Sequence, residues 1–395
     1  MRLVHTSDWH IGRSFHGRAL LADQEQTLAA IADLVREEQV DVVLIAGDLY
    51  DRAVPSVDAV QLATRSLRRI RDAGAEIVLS TGNHDSAARL GAFGDFLAAG
   101  GLHIRSGVDQ LADPVLFEDA HGPVAIYGIP YLEPDVARQS MGVPEARGHA
   151  GVLGEAMSRI RADLADRPAG TRSVVLSHAF VVGGTATESE RCIDAAEPSA
   201  GDALFEVKRG TVGSVPGETF RGVDYVALGH LHRRQQLGPR LRYSGSPLPY
   251  SFSEGGQIKG GWIVELGPAG VRQVRPFDLP VVRPLATVRG ELAEILAGYV
   301  ELREHYLSFE LTDAQRPADP MRRLLEVFPH AVKMEWQPPA LDGPGPDFHI
   351  SRRGLPDDAL VDAFLTDCRG TGLTAGEHAL LTDSLTAARI AEAAA

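Results

Sequence analysis

The chain has 395 residues, 44% of them hydrophobic, and a formal net charge of −14. That length suits two domains, or one large domain with an appendage, and the apolar share supports a sizeable core and excludes general disorder. The acid excess excludes a free-standing, charge-driven nucleic-acid binder, because phosphate affinity comes from surplus Lys and Arg; a nucleic-acid role would need bound metal, a basic patch or a partner subunit.

The opening stretch, MRLVHTSDWHIG, alternates as a strand does and lacks the apolar segment of a signal peptide. No apolar run approaches the roughly 20 residues of a membrane span, so the expectation is a cytoplasmic protein with no membrane contact. Strand RLVHTS is followed by a helix that puts Leu28, Ile31, Leu34 and Val35 on one face. DVVLIAG (41–47) is almost continuously apolar, as a strand covered on both faces should be. A helix over 56–73 leads into strand AEIVLS (75–80), and further strands are expected at 124–130, 172–177, 223–229, 240–245 and 261–266. This alternation predicts an α/β layered fold with a largely buried sheet.

Around 267–284 the chain turns rich in Gly and Pro, which marks a boundary. Beyond it, strand LATVRG, a helix over 291–300, strand YLSFEL, a helix over 319–328 and strand AVKMEW read as a small α+β unit. A Pro-, Gly- and Asp-rich loop (338–347) precedes a helical tail. The division expected is therefore 1–279, 280–347 and 348–395. No G-x-x-x-x-G-K-[ST] occurs, so no ATP site of that kind is expected in this chain. Two cysteines, Cys192 and Cys368, are too few for a disulfide framework and read as incidental thiols.

The chemistry sits at the strand ends. Asp8 and His10 follow the first strand, Asp48 the second, and Asn83 and His84 the third; His178 ends VVLSH, and His230 and His232 end VALGHLH. In α/β sheets ligands bind beyond the carboxyl ends of strands, so residues from Asp8 to His232 can converge there. Carboxylate, imidazole and amide oxygen without thiolate suit manganese, iron, zinc or magnesium. Seven candidate ligands exceed the needs of one tetrahedral zinc and suit two octahedral ions sharing a carboxylate, the clamp used for in-line displacement at phosphorus. Gly47, Gly82 and Gly229 precede Asp48, Asn83 and His230, as a tight turn that swings a ligand inward requires.

The ordered set D-x-H, GD-x-x-D, GNHD, H and GH-x-H resembles the calcineurin-like metallophosphoesterase superfamily. Within it, HTSDWHIGRSF, GDLYDRAVPS, STGNHDS and YSGSPLPYSFSE (243–254) are similar to the SbcD nuclease family, bacterial counterparts of the DNA-repair nucleases that pair with SMC-like ABC ATPases. The resemblance covers roughly residues 1–255; the later unit matches in position and element order, and the tail over 370–385 resembles the end of SbcD proteins. It implies a β-sandwich flanked by helices, a nuclease domain over 1–279, a DNA-capping unit over 280–347, and a tail that docks on the ATPase. It also implies two manganese ions. One would be held by Asp8, His10 and His232, the other by Asn83, His178 and His230, with Asp48 bridging. His84 would face the scissile phosphate, Asp85 would orient His84, and water would be the nucleophile. The implied activities are double-strand exonuclease and single-strand or hairpin endonuclease, acting in DNA end processing, replication, recombination and repair. The implied setting is a nucleoid-associated two-plus-two assembly of a homodimer with an SbcC-like SMC/ABC ATPase.

Several readings stay open at this level. His84 has a rival role as an extra ligand, and Asp51 suits a turn or helix cap as well as the GD-x-x-D pattern. Trp9 reads as core. His16 and the basic cluster Arg65, Arg68 and Arg69 are candidate DNA contacts, against a solvated helix face for the arginines. His5, His103, His121 and His149 read as ordinary histidines. The same seven ligands would serve a small-substrate phosphoesterase acting on nucleotides or cyclic nucleotides, and a non-catalytic scaffold subunit is the non-enzyme rival.

Overall fold

The computed structural model describes residues 1–190, 213–339, 356–369 and 371–393. Cys192, the side chain of Cys368 and most of the loop expected at 338–347 lie outside the described residues. The chain divides into two units, Met1–Leu285 and Ala286–Ala395.

Two six-stranded sheets form the first unit. One runs in the order Gly270–Asp278, Gly260–Gly267, Arg2–Thr6, Val42–Ala46, Glu76–Ser80, Leu102–Arg105. Its last four strands are parallel, with Leu3 opposite Val42, Val42 opposite Glu76 and Ile77 opposite Leu102. The other runs Gln235–Gln236, Leu241–Tyr243, Tyr225–Gly229, Arg172–His178, Gly122–Ile129, Val115–Asp119, and its middle four strands are again parallel.

Alternation along these strands builds the layers. Val4, Val43, Ile45, Ile77 and Leu79 pack with Leu28, Ile31, Val35, Leu62 and Ile70 of helices Leu21–Glu37 and Val57–Asp72. The intervening Leu3, Val42, Leu44 and Val78 face Val124, Ile126, Val174, Leu176 and Ala227 of the second sheet. That sheet's outer face, with Val175, Val226 and Leu228, covers Val152, Leu153, Met157 and Ile160 of helix Gly148–Ala165. The architecture is thus helices, sheet, sheet, helix. Each fully buried aliphatic side chain contributes about 1.5–3 kcal/mol, and strand Val42–Ala46 is buried throughout because both its faces are covered. Ser56 caps the second helix by accepting from the Ala59 N–H.

Polar ties join the sheets. His5 bonds the Leu228 carbonyl at 3.1 Å and the Tyr225 hydroxyl at 3.0 Å. Burial pushes its pKa down to about 3, so the ring is neutral. The carbonyl can only accept, hence Nε2 carries the proton and Nδ1 accepts from Tyr225. Away from the strand carboxyl ends, the buried Arg172 guanidinium donates to Asp119 at 2.7 and 3.0 Å, and Asp119 also receives the Met1 ammonium at 2.7 Å.

Strands Leu102–Arg105 and Val115–Asp119 and helix Gly148–Ala165 were not expected from sequence. The helix carries Gly148, Gly151 and Gly154, poor helix formers whose cost is offset by packing. The second unit holds a three-stranded sheet, Leu285–Gly290, Tyr306–Leu311, Ala331–Trp336, with helices Leu292–Ala297 and Pro320–Val327, the β-α-β-α-β order read from sequence. Val288, Leu292, Leu307, Phe309, Leu324 and Phe328 form its core. Gly298 ends the first of these helices earlier than its periodicity implies. Helices Asp357–Arg369 and Ala375–Ala393 follow. Among the described residues no helix is long and apolar enough to cross a membrane.

Candidate metal centre

Parallel strands in both sheets end on the same side, so their following loops meet. Gly229 lies so close to the first sheet that a Cβ there would sit 1.9 Å from the Ala46 carbonyl. His178, the last residue of its strand, crosses to the Ala46 carbonyl through Nδ1 at 2.9 Å. The carbonyl accepts, so Nδ1 holds the proton and Nε2 points into the site, 2.9 Å from Asn83 Oδ1 and 3.3 Å from Asp48 Oδ2. Asp8, His10, Asp48 and His230 all have positive φ, at 53°, 43°, 53° and 103°. Left-handed backbone at four non-glycine positions is strain concentrated where the side chains must turn inward.

Three groups of ligand atoms lie within 4.8 Å of one another: Asp8, His10 and His232; Asp8, Asp48 and His178; and His10, Asp48 and His84. All the residues in these groups are buried. The first group is the set expected for one ion. In the second, Asp8 stands with Asp48 and His178, while Asn83 touches His178. His230 belongs to none of the three groups; its ring centroid is 5.2 Å from that of His178, and its backbone N–H donates to Asp8 at 3.0 Å. His84 falls in the third group, so the extra-ligand reading of this residue keeps a geometric basis.

One expectation is corrected. Asp85 does not hold the His84 ring; Nδ1 of His84 bonds the Asp51 backbone carbonyl at 2.8 Å. Asp85 instead accepts the N–H groups of Gly82 and Leu49 on Oδ2, at 3.0 and 3.2 Å, and of Tyr50 on Oδ1 at 3.0 Å. It ties the Asp48 loop to the Asn83 loop. The Asp48 carboxylate adds to this by accepting from the His84 N–H at 2.8 Å.

Charge at the site is unbalanced in a way a cation would correct. Burial pushes Asp8 up to about 6, against the pull of His178 and His232. Burial also works against charge on Asp48, yet His178 and His10 hold it below the ordinary carboxylate range. Burial disfavours a charged His178, but Asp48 overrides it and raises this ring to about 9. The two buried carboxylates thus draw their counter-charge from neighbouring imidazoles. His10 Nε2 meets His232 Nε2 at 3.1 Å, and the buried His10 Nδ1 has no hydrogen-bond partner among the described residues. Lone pairs converge here with too few protons to satisfy them, and the donors are all oxygen and nitrogen. The residues therefore fit divalent cations.

The remaining predicted residues lie around this centre or away from it. Trp9 is core, with its indole N–H on Thr6. His16 has φ 46° at the turn between the short strands Ser14–Phe15 and Arg18–Ala19, against the rings of Phe15 and Phe252. Arg65 and Arg69 both reach Glu25 at 3.3 Å, and Arg68 is exposed. Sequence reasoning missed Arg13, whose guanidinium sits 4.9 Å from the Tyr250 ring and 3.6 Å from Asp51. It also missed Tyr131, whose ring meets that of His178 edge-on at 6.4 Å, His149, tilted against Tyr131 at 5.7 Å, and the group Ser189, Glu190, Glu254 and Lys259 behind His232. The PYSFSE segment carries Tyr250 and Glu254, and in the sequence it offers a family resemblance alone.

A layered α/β sandwich with carboxylates, imidazoles and an amide gathered at its strand ends defines a metal-dependent hydrolase. The chain belongs to the calcineurin-like phosphoesterases, whose family model matches residues 1–234. Residues 281–344 match the SbcD_C family, described as the type 5 capsule protein repressor C-terminal domain. Over 391 residues the chain is 28% identical to the D subunit of nuclease SbcCD from Staphylococcus saprophyticus, covering 98% of each. It is 27% identical to the subunit of the same name from Staphylococcus epidermidis, over 85% of each. Among solved structures, a Thermus thermophilus protein aligns with 70% of this chain and 98% of its own, at 13% identity and a TM-score of 0.39.

Proposed function

We propose that this chain is the metal-dependent nuclease subunit of an SbcCD-type complex, cleaving DNA phosphodiester bonds by water attack. The observation that carries this reading, over a small-substrate phosphoesterase with the same ligands, is the extent of the similarity. It runs through 98% of the chain and of a relative named as the nuclease subunit, well past the phosphoesterase unit.

In this reading Asp8, His10 and His232 hold one divalent cation and Asn83, His178 and His230 another, with Asp48 shared and Asp8 close to both. Manganese is the metal assigned. Bound cations would supply Lewis acidity that lowers the pKa of water and offsets phosphate charge. His84 faces the substrate: its Nδ1 proton is committed to the Asp51 carbonyl, so Nε2 is the atom that exchanges a proton with the leaving oxygen. Asp85 keeps the two ligand loops in register through its three backbone bonds. His16 and the exposed Arg68 are assigned to DNA contact; Arg65 and Arg69, paired with Glu25, contribute less.

The unit from about residue 280 is assigned to capping the DNA, and helices Asp357–Arg369 and Ala375–Ala393 to docking an SbcC-like ATPase. Exposed Leu360, Phe364 and Leu380 on those helices support a covered face. Exposed Val57, Val60, Phe93 and Phe96 in the first unit support self-association; the two-plus-two assembly in the cytoplasm at the nucleoid is assigned from the family resemblance. The test compares linear duplex DNA, cyclic AMP and bis-p-nitrophenyl phosphate with manganese, for wild type, Asp48→Ala and His178→Ala. Expected is DNA degradation by wild type alone. Turnover of cyclic AMP far above that of DNA would overturn the assignment, as would unchanged degradation by either variant.

A further inference from the structure

We propose that Glu254 is a positioning residue for the metal centre: acting through the Ser189 hydroxyl, it fixes the proton of His232 on Nδ1 and turns the Nε2 lone pair toward the cation. The inference rests on the metal-centre reading above and concerns a residue to which that reading gives no role.

Three segments far apart in the chain meet behind His232. Ser189 Oγ lies 2.6 Å from His232 Nδ1 and 2.5 Å from Glu254 Oε1, whereas Nδ1 and the carboxylate are 3.9 Å apart. Among the described residues, the hydroxyl is therefore what bridges them. All three side chains are at least nine-tenths buried, with Glu254 1% and His232 2% exposed, so water does not substitute.

Directionality does the rest. Glu254 is ion-paired on its other oxygen with the buried Lys259, which keeps it a carboxylate, and a carboxylate only accepts. The Ser189 proton goes to Glu254, so toward His232 the hydroxyl is an acceptor. The other neighbour of Ser189, the Thr187 hydroxyl at 3.0 Å, has its own carboxylate acceptor, Glu190, at 2.8 Å. His232 must then carry its proton on Nδ1. Nε2 is left with a lone pair, and it faces His10 Nε2 at 3.1 Å.

The backbone of His232 is held as tightly. Its N–H donates to Glu190 at 2.7 Å, and its carbonyl accepts from Lys259 Nζ at 2.8 Å and from the Ser246 N–H at 3.1 Å. Lys259 thus links Glu254 to the same residue from the other side. Besides the lysine on one oxygen and the Tyr250 N–H at 3.2 Å on the other, Glu254 takes the hydroxyl of the serine that touches the ring, a contact that fold stability alone does not call for. His178 and His84 are oriented by backbone carbonyls, which no substitution removes. His232 is oriented by side chains, so its alignment can be tested.

The test uses full-length protein and manganese binding by titration calorimetry, with Ser189→Ala, Ser189→Thr and metal-free melting as a reference. Loss of a partner that orients a metal ligand costs about 10–100-fold in affinity. Expected is that one of the two manganese sites weakens by that factor in Ser189→Ala while the other stays within about twofold, and that Ser189→Thr restores it. Lower melting without this site-selective split would mean a merely structural role and would overturn the proposal. Nitrogen-15 spectra of the metal-free protein, recorded at a pH where the His232 ring is neutral, give a second readout: His232 should be the Nδ1–H form in wild type and mixed in Ser189→Ala. An Nε2–H form in wild type overturns the relay. Wild type that binds no manganese would instead sink the metal-centre reading, and the relay's purpose with it. Glu254→Gln is kept as a secondary variant because it also strands Lys259.

Discussion

Asp85→Asn discriminates between two jobs for one carboxylate. If Asp85 oriented His84, the change would disturb that ring and leave the fold alone. The structure instead gives Asp85 three backbone N–H donors from two loops. An asparagine keeps one acceptor oxygen. Placed where Oδ2 stands, that oxygen still serves Gly82 and Leu49, but the Tyr50 N–H then faces an amide NH2. One half-buried donor is orphaned, at about 1–3 kcal/mol, and two charge-assisted bonds become neutral ones, at roughly 1 kcal/mol each. Burial and the neighbouring Asp48 raise the Asp85 carboxyl to about 7, so at pH 7 those bonds are charge-assisted only in part, and the expected loss is about 1–3 kcal/mol, that of the orphaned donor. Urea unfolding of the metal-free protein, followed by circular dichroism, should show a lower midpoint with an unchanged slope. Manganese affinity should fall too, since the Asp48 and Asn83 loops are no longer in register. An unchanged midpoint together with an altered His84 ring proton would refute this reasoning and restore the orienting role.

Asp119→Asn should destabilise the protein by about 3 kcal/mol at pH 7, the low end for a broken buried pair because Asp119 keeps 18% exposure. The Arg172 guanidinium holds the Asp119 carboxyl well below the ordinary carboxylate range, so its contribution is full above the unfolded value of about 4 and fades as pH falls through the folded one. Urea midpoints at pH 7, 5 and 3.5 should show the gap to wild type narrowing only at the lowest, and a constant gap would be the wrong result. Gly229→Ala should cost about 3 kcal/mol or more, because its Cβ would meet the Ala46 carbonyl at 1.9 Å and His178 Nδ1 at 2.9 Å. Gly154→Ala, with nothing within 4 Å of the added carbon in a helix interior, should instead stabilise by about 0.5–1 kcal/mol; melting curves compare the two. Manganese at about 100 times its dissociation constant should add about 2.7 kcal/mol per site, an increment that chelation reverses and Asp48→Asn abolishes; equal melting with and without metal would count against the site.

Much of this protein is legible as a string because its chemistry sits on periodic scaffolding. Apolar strands ending in a carboxylate, amide or imidazole, with Gly just before Asp48, Asn83 and His230, mark these three together with Asp8 and His178 as candidates without any coordinates. A ligand needs a rigid strand to hold it and a turn to release its side chain, and both leave local signatures. Local signals failed where packing overrode propensity, as in the glycine-bearing helix Gly148–Ala165. They also failed in the short strands Leu102–Arg105 and Val115–Asp119, which carry too few residues for a period to show.

What the amino-acid order determined was which residue types stand at the strand ends and the layered class of fold. Tertiary structure alone decided how they are grouped and what holds them. Asp8 sits with both halves of the site, His230 stands outside the tightest clusters, and Asp85 serves backbone rather than His84. The proton on His232 depends on Ser189 and Glu254, which approach from other segments. Hydrogen bonds to carbonyls and between remote side chains have no spacing along the chain. They exist only once two sheets have packed, because it is burial that makes each donor find an acceptor.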